Sequence, residues 1–332
     1  MSKFASFAGG AVAGILGIAT YYKLTTSFHT SALDSQPTAP HNFAATVAPG
    51  PPLTAEPGTL VSHAALNPTK PSELGRIFAE FGFPGPVADL QYRQAYVASY
   101  NRQLRNANWV VEHLTADNVR RGPNAPDRGK SSFVEDPAIP ELFRSKLKDY
   151  YRSGYDRGHL VPAADAKRSQ EAMDETFFLT NISPQVGSGF NRDYWAHLEQ
   201  FCRDLTKSFK DVYVFSGPLF LPTQDPVTKK WMVTYEVIGS PPNVAVPTHF
   251  YKVILTRSAS GSLALGAFVL PNAPISNDTP LERFSAPISA VEKGSGLNFF
   301  QRLQNREKIP SLCKATICQM VIRDFSKAAS SK

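Results

Sequence analysis

No acidic residue occurs before Asp34 in this 332-residue chain. Cysteine is scarce as well. Cys202, Cys313 and Cys318 are too few for a disulfide framework or a zinc cluster. The CxxxxC spacing of the last two leaves open a small closed loop in an oxidising compartment. Cys202 falls in a helical pattern and reads as a buried apolar residue. The chain has no internal repeat, no arginine-rich run, and no helix-turn-helix, zinc-finger or RNA-recognition signature. Direct reading of base edges therefore has no support in the sequence. Strand and helix patterns do not alternate regularly, which excludes a doubly wound parallel architecture.

The chain does carry a net charge of +7, which suits an anionic partner such as nucleic acid or an anionic membrane surface. Its length fits one large domain with appendages. Lys3 precedes a nearly unbroken apolar run from Phe4 to Tyr22, closed by Lys23, which is long enough to span a bilayer as a helix. Gly10 and Gly14 stand at the spacing that lets two such helices approach closely. We read residues 1–24 as a mitochondrial targeting and membrane-anchor segment; a secretory signal peptide is the competing reading. Residues 25–70 are rich in Pro, Ala, Ser and Thr and too poor in apolar surface to offset their ordering entropy, so a flexible linker is expected. The three histidines there lack ligand spacing. A catalytic domain over 71–328 and a short tail, 329–332, complete the chain.

Within that domain, 107–115, 176–184, 211–220, 248–256 and 263–271 read as strands, each ended by Pro, Gly or Asn chemistry. Residues 191–209 place Trp195, Leu198, Phe201, Cys202 and Leu205 at helical spacing. "ISAVEKGSGLNFFQRL" reads as a helix broken at Gly294–Gly296. The expected fold class is α+β: a mixed, largely antiparallel sheet with helices.

Chemistry concentrates between residues 153 and 203. In "SGYDRGHLVPAAD", His159 follows an Asp-Arg-Gly turn. Asn191 and Glu199 stand eight residues apart, on one face two turns along a helix. An Asn and a Glu with hard oxygen donors, near a histidine on a hairpin, suit one Mg²⁺ that keeps most of its waters. A neutral Asn ligand leaves the cation's charge for a scissile phosphate. His159 then serves as general base toward water, and Arg157 offers a bidentate guanidinium to phosphate. Bland alternatives stand beside these roles: a helix N-cap for Asn191, a surface charge for Glu199, a turn-shaping role for Asp156. His113, His197 and His249 have ordinary homes at a strand end, an outer helix face and a strand entry.

The ordered strings "FGFPGP", "ANWVVEHLT", "YDRGHLVPAAD", "AMDETFFLTNISPQVGSGFNRDYWAHLE", "SGPLFLP", "YEVIGSPPNVAVPTHFYKV" and "FVLPNAPI" resemble the DNA/RNA non-specific endonuclease family over roughly residues 78–326. Within it, they are most similar to the endonuclease G branch, especially its fungal members. The resemblance implies a beta-beta-alpha metal (His-Me finger) site with His159 as general base. It implies Asn191 as the direct Mg²⁺ ligand, Glu199 acting through metal-bound water and Arg157 on phosphate, with Mn²⁺ able to substitute for Mg²⁺. It further implies DNA and RNA as substrates with little sequence preference, 5′-phosphate products and a homodimer. A mitochondrial inner-membrane location with the catalytic domain facing the intermembrane space also follows. An assisting upstream arginine of some members matches "PDRGKSSFVEDP" only loosely, at Arg128 or Lys130. Scattered basic residues (Lys167, Arg168, Lys207, Lys210, Lys229, Lys230 and the Arg302–Lys308 stretch) are expected to line a shallow cleft. A secreted nuclease and a membrane-tethered nucleic-acid scaffold with a decayed site are the competing readings; intact His159, Asn191, Glu199 and Arg157 speak against the second.

Overall fold

The computed structural model describes residues 73–122 and 125–322. The expected anchor (1–24, with its apolar run 4–22), linker (25–70) and tail (329–332) lie outside the described residues. Among the described residues no helix is long and apolar enough to cross a membrane.

Six strands form the central sheet: β1 (Leu90–Tyr92), β2 (Tyr96–Asn101), β3 (Asn106–Leu114), β6 (Asp211–Leu219), β7 (His249–Arg257) and β8 (Leu263–Pro271). They lie in the order β1-β2-β3-β6-β7-β8, every pair antiparallel. A separate two-stranded hairpin, β4 (Asp156–His159) with β5 (Ile182–Gln185), stands against the sheet.

Both faces of the sheet are covered. On one, Trp109, Val111, Phe215, Tyr251 and Val253 pack on helix α1 (Glu73–Phe81) and on Phe299 and Phe300. On the other, Val110, Val214, Phe250 and Ile254 meet Leu160 and Val161 behind β4. Helix α3 (Tyr194–Leu205) presents Trp195, Leu198, Phe201 and Cys202 to the same face. Because two layers bury them, β6 and β7 read as apolar runs rather than alternations. The expected strands at 211–220, 248–256 and 263–271 match β6, β7 and β8 to within a residue. Cys202 is buried as expected, and Cys313 and Cys318 form a disulfide.

The stretch 176–184 departs from expectation. Only Ile182–Gln185 is strand; a short helix α2 (Gln170–Glu175) and a 3-10 turn, Leu179–Asn181, take the rest. The cause is local. Thr176 Oγ1 donates to Met173 O (2.7 Å) and Asn181 Nδ2 to Thr176 O (2.8 Å), curling the backbone, while the Phe177 ring turns to pack against His159. The glycines at 294–296 act as foreseen: helix α4 (Ile288–Ser295) stops where Gly296 takes a φ of 71°.

The layer away from the hairpin rests on Trp109, which is fully buried, donates to Pro86 O (3.0 Å) and meets Phe78 and Phe215 edge-on. Trp109→Ala is expected to cost about 3–5 kcal/mol by cavity formation, measured as a lower urea midpoint.

Candidate functional site

His159 closes strand β4, with its ring 8 % exposed between Phe133 (5.3 Å) and the edge-on Phe177 (4.8 Å). Burial first, and then the Arg128 charge, pull its pKa down to about 3, so the imidazole is neutral near neutral pH. Its Nε2 has no hydrogen-bond partner within the protein. A neutral ring with an unused nitrogen has the protonation state that a general base requires.

The backbone beneath that ring is bonded at successive positions. His159 O accepts from Trp195 Nε1 (3.2 Å) and Leu160 N donates to Asn181 O (3.0 Å). Val161 N donates to Asn181 Oδ1 (3.0 Å), and Asn181 Nδ2 returns a bond to Val161 O (2.9 Å). Strand alternation puts Arg157 on the same side as His159, exposed, its guanidinium 4.4 Å from the Phe133 ring centre. Phe133 thus touches both side chains, a role the sequence did not signal. Gly158 faces the other way, where an added Cβ would lie 2.1 Å from the buried Gln185 side chain.

Asn191 lies at the end of a wide turn, Gly187–Asn191, rather than on the helix expected to carry it. Gly189 within the turn has a φ of 81°, and its N–H is bonded by the Asp193 carboxylate (2.5 Å). Helix α3 starts only at Tyr194, with Asp193 in the cap position. The N-cap alternative for Asn191 is therefore set aside. Its Nδ2 donates to Asp156 Oδ2 (2.9 Å), which engages the amide through its nitrogen. Asp156, expected to shape the turn, instead holds this amide and pairs with Arg192 (3.0 Å).

Glu199 sits one helical turn beyond Trp195, partly buried. Burial raises its carboxyl to about 7, against the pull of the Lys252 and Arg203 charges. Behind it lies a buried ionic layer. Arg203 donates to Asp165 (2.6 Å), and Lys252, fully buried on β7, donates to Ser216 Oγ (2.7 Å). Glu112, 1 % exposed on β3, has its carboxyl pushed well above the usual range by burial and by Asp165. Glu112 and Lys252, neither of them among the sequence-predicted residues, lie in this layer behind the site.

Hairpin, turn and helix therefore bring His159, Arg157, Asn191 and Glu199 to one neighbourhood: Asn191 is bonded to the first residue of β4, and Trp195, four residues before Glu199, to the last. Among the described residues no group of three or more His, Cys, Asp or Glu side chains is placed to hold a metal. The sequence-predicted donors, the Asn191 amide and the Glu199 carboxyl, are hard oxygen groups, and the Asp156 carboxylate stands beside Asn191; such a set suits a hard cation that keeps its waters.

The sequence profile of the DNA/RNA non-specific endonuclease family matches residues 75–306. The chain is 55 % identical over 257 residues to the mitochondrial nuclease of Saccharomyces cerevisiae, covering 76 % of this chain and 77 % of that one. The chain belongs to the DNA/RNA non-specific endonuclease family. Human mitochondrial endonuclease G is 44 % identical, with 69 % of this chain and 74 % of the human one covered. A chain in the crystal structure of the EndoG/EndoGI complex superposes with a TM-score of 0.69 at 46 % identity, over 73 % of this chain and 96 % of that one. The protein is thus a nuclease, an enzyme that hydrolyses nucleic acid, and its beta-beta-alpha architecture accords with that neighbour.

Of the two upstream candidates in the nuclease, Arg128 is the one that reaches the site. Its guanidinium lies 5.8 Å from the Phe177 ring centre, and its charge lowers the pKa of both His159 and Glu199. The tripeptide Asp127-Arg128-Gly129 carries the signal: Asp127 caps a 3-10 turn, Arg128–Lys130, by accepting from Gly129 N (2.9 Å). Lys130 is exposed on that turn.

Some expectations for other residues of the nuclease are corrected. His197, placed on the outer helix face, is 2 % exposed, because α3 is covered on more than one side. Arg302 is spent on the last carbonyls of α1 (2.8 Å to Ala79 O) and Arg306 on Glu292 of α4 (2.6 Å), both in the layer behind the sheet, so neither lines a cleft here. Lys167 is half-buried, donates to Val119 O (3.0 Å), and burial lowers its pKa.

Two measurements test this geometry. Gly158→Ala is expected to shift the hairpin against Gln185 and abolish most nuclease activity; wild-type cleavage would show that the contact is soft. His159 and His249 are both held neutral by burial, at about 3 and about 4. The unfolded chain takes up protons at both below about pH 6.5, so these two histidines add stability as pH rises through that window, while Glu112 and Glu199, raised by burial, act in the opposite sense. His249→Asn removes one of the favourable contributions, so its melting temperature is expected to rise less with pH between about 4 and 6.5 than that of the wild type.

Proposed function

We propose that the protein is a Mg²⁺-dependent, sugar-nonspecific endonuclease that hydrolyses phosphodiester bonds of DNA and RNA, with Mn²⁺ able to replace Mg²⁺. The observation that carries this reading is the buried, neutral His159 with an unpartnered Nε2, on the same strand whose two ends fix Asn191 and Trp195. His159 takes a proton from the attacking water through that nitrogen. The water oxygen bonds to phosphorus as the bond from phosphorus to the 3′ oxygen breaks; the 3′ oxygen takes a proton from solvent water, and the products are a 5′-phosphate and a 3′-hydroxyl. Arg157, exposed beside His159, binds a phosphate oxygen, and the cation supplies charge stabilisation for the leaving oxygen when bound. Asn191, through its amide oxygen, would hold the cation directly. Glu199, pushed to about 7 by burial and steadied by Lys252 and Arg203, would act on it through water as a carboxylate. Arg128 adds positive charge on the same side.

Contacts limited to the backbone give salt-sensitive binding with little sequence preference. The reading includes a homodimer, and a mitochondrial location that the names of the yeast and human relatives support. It keeps residues 4–22 as the inner-membrane anchor, with the catalytic domain facing the intermembrane space.

The test is cleavage of plasmid and of RNA by the full chain, with Mg²⁺ or with EDTA, beside His159→Ala. Loss of about 10²–10⁴-fold in the variant and arrest in EDTA are expected. Persistent cleavage by the variant would assign the base elsewhere, and DNA binding without cleavage under any divalent cation would favour the scaffold reading.

A further inference from the structure

Lys252 occupies a position that an apolar residue would fill at lower cost. It lies in the middle of β7, fully buried, paired across the sheet with Ser216 on one side and Phe268 on the other. Withdrawing an ammonium from water costs several kcal/mol before any partner is counted. Two of its three partners lie directly against the site. Nζ donates to Ser216 Oγ (2.7 Å) and to Leu160 O (3.4 Å), and lies 4.6 Å from the ring centre of Trp195. Trp195 in turn donates to His159 O (3.2 Å). Two consecutive carbonyls, of His159 and Leu160, are thus held by two side chains that are stacked on each other. The Lys252 charge also acts on the carboxyls of Glu199 and Glu112.

We propose that Lys252 is a positioning residue for the nuclease reaction: from the sheet it fixes the peptide after the general base and the helix turn that leads to Glu199. The assignment rests on the residue roles proposed above. It makes no contact with substrate. Its effect passes through the backbone at His159–Leu160 and through the Trp195 ring, so it sets geometry in the reacting complex and leaves substrate binding to the exposed arginines.

The experiment compares full-length wild type, Lys252→Met, Glu112→Gln and the double variant, on a short duplex with Mg²⁺. Removing the ammonium alone leaves buried carboxyls without their cation, so Lys252→Met is expected to melt lower, and Glu112→Gln in the same chain to recover part of that loss. At a temperature where each is folded by circular dichroism, the double variant should keep kcat about 10- to 100-fold below wild type with KM unchanged, as misplacement of a reacting group does. Glu112→Gln alone should cut normally. A double variant that regains wild-type kcat together with its melting temperature overturns the proposal, reducing Lys252 to a counter-ion for Glu112. If both Met-bearing chains fail to fold, Ser216→Ala decides: it removes the 2.7 Å anchor and keeps the charge. Lower kcat at unchanged KM then supports the role, and wild-type kinetics refutes it. Failure of the nuclease reading shows separately, as a wild type that cuts nothing, and it takes the positioning role with it.

Discussion

The Trp195 indole donates to the carbonyl of His159 across 3.2 Å, and that one bond sets helix α3 against the hairpin. The helix contributes Glu199 and Arg203, the turn before it contributes Asn191, and the hairpin contributes Arg157 and His159. None of these pieces packs into a continuous sheet with the others, so their mutual placement depends on a few directed contacts. The Asn191–Asp156 bond closes the other end of the same junction (2.9 Å). With both ends tied, the segment between them has little freedom to slide along β4.

Burial does the chemical tuning. Phe133 and Phe177 exclude water from His159, and the resulting loss of solvation keeps the imidazole uncharged. The same exclusion would leave Glu199 protonated over much of the neutral range, and there the fold supplies Lys252 and Arg203 as opposing charge. Two buried carboxyls, Glu112 and Asp165, lie with the partly buried Glu199 around Lys252 and Arg203; burial and Asp165 raise the Glu112 carboxyl, and the Lys252 charge opposes that rise. The sheet therefore carries an ionic layer on an otherwise apolar face, directly beneath the residues proposed for catalysis.

Much of this was legible in the sequence, for identifiable reasons. Strands β6, β7 and β8 are covered on both sides, so their residues read as apolar runs with sharp ends. His159 and Asn191 stood out because polar residues gather there between apolar segments. The helix start was misjudged because nothing in "GSGFNRDYW" reveals that Gly189 adopts a positive φ and delays the helix to Tyr194. "TFFLTNISP" looked like one strand because its aromatic residues serve the wall around His159 rather than a sheet face. Glu112 and Lys252 were each visible as a single charge within an apolar strand, yet only the register shows that they share a face. Arg128 was hidden by the cheapness of its tripeptide; the cap made by Asp127 is what gives that tripeptide a direction.

The support of the site by the sheet bears on modularity. Residues 156–203 contain the hairpin, the turn and the helix, and as a string they form a compact catalytic cassette. The ammonium that clamps this cassette comes from β7, and the carboxyl that balances it from β3, both distant in sequence. A graft of the cassette onto another scaffold would carry the reactive groups and lose their floor. On the positioning role proposed for Lys252, a working graft needs a host sheet that supplies an equivalent floor beneath the segment.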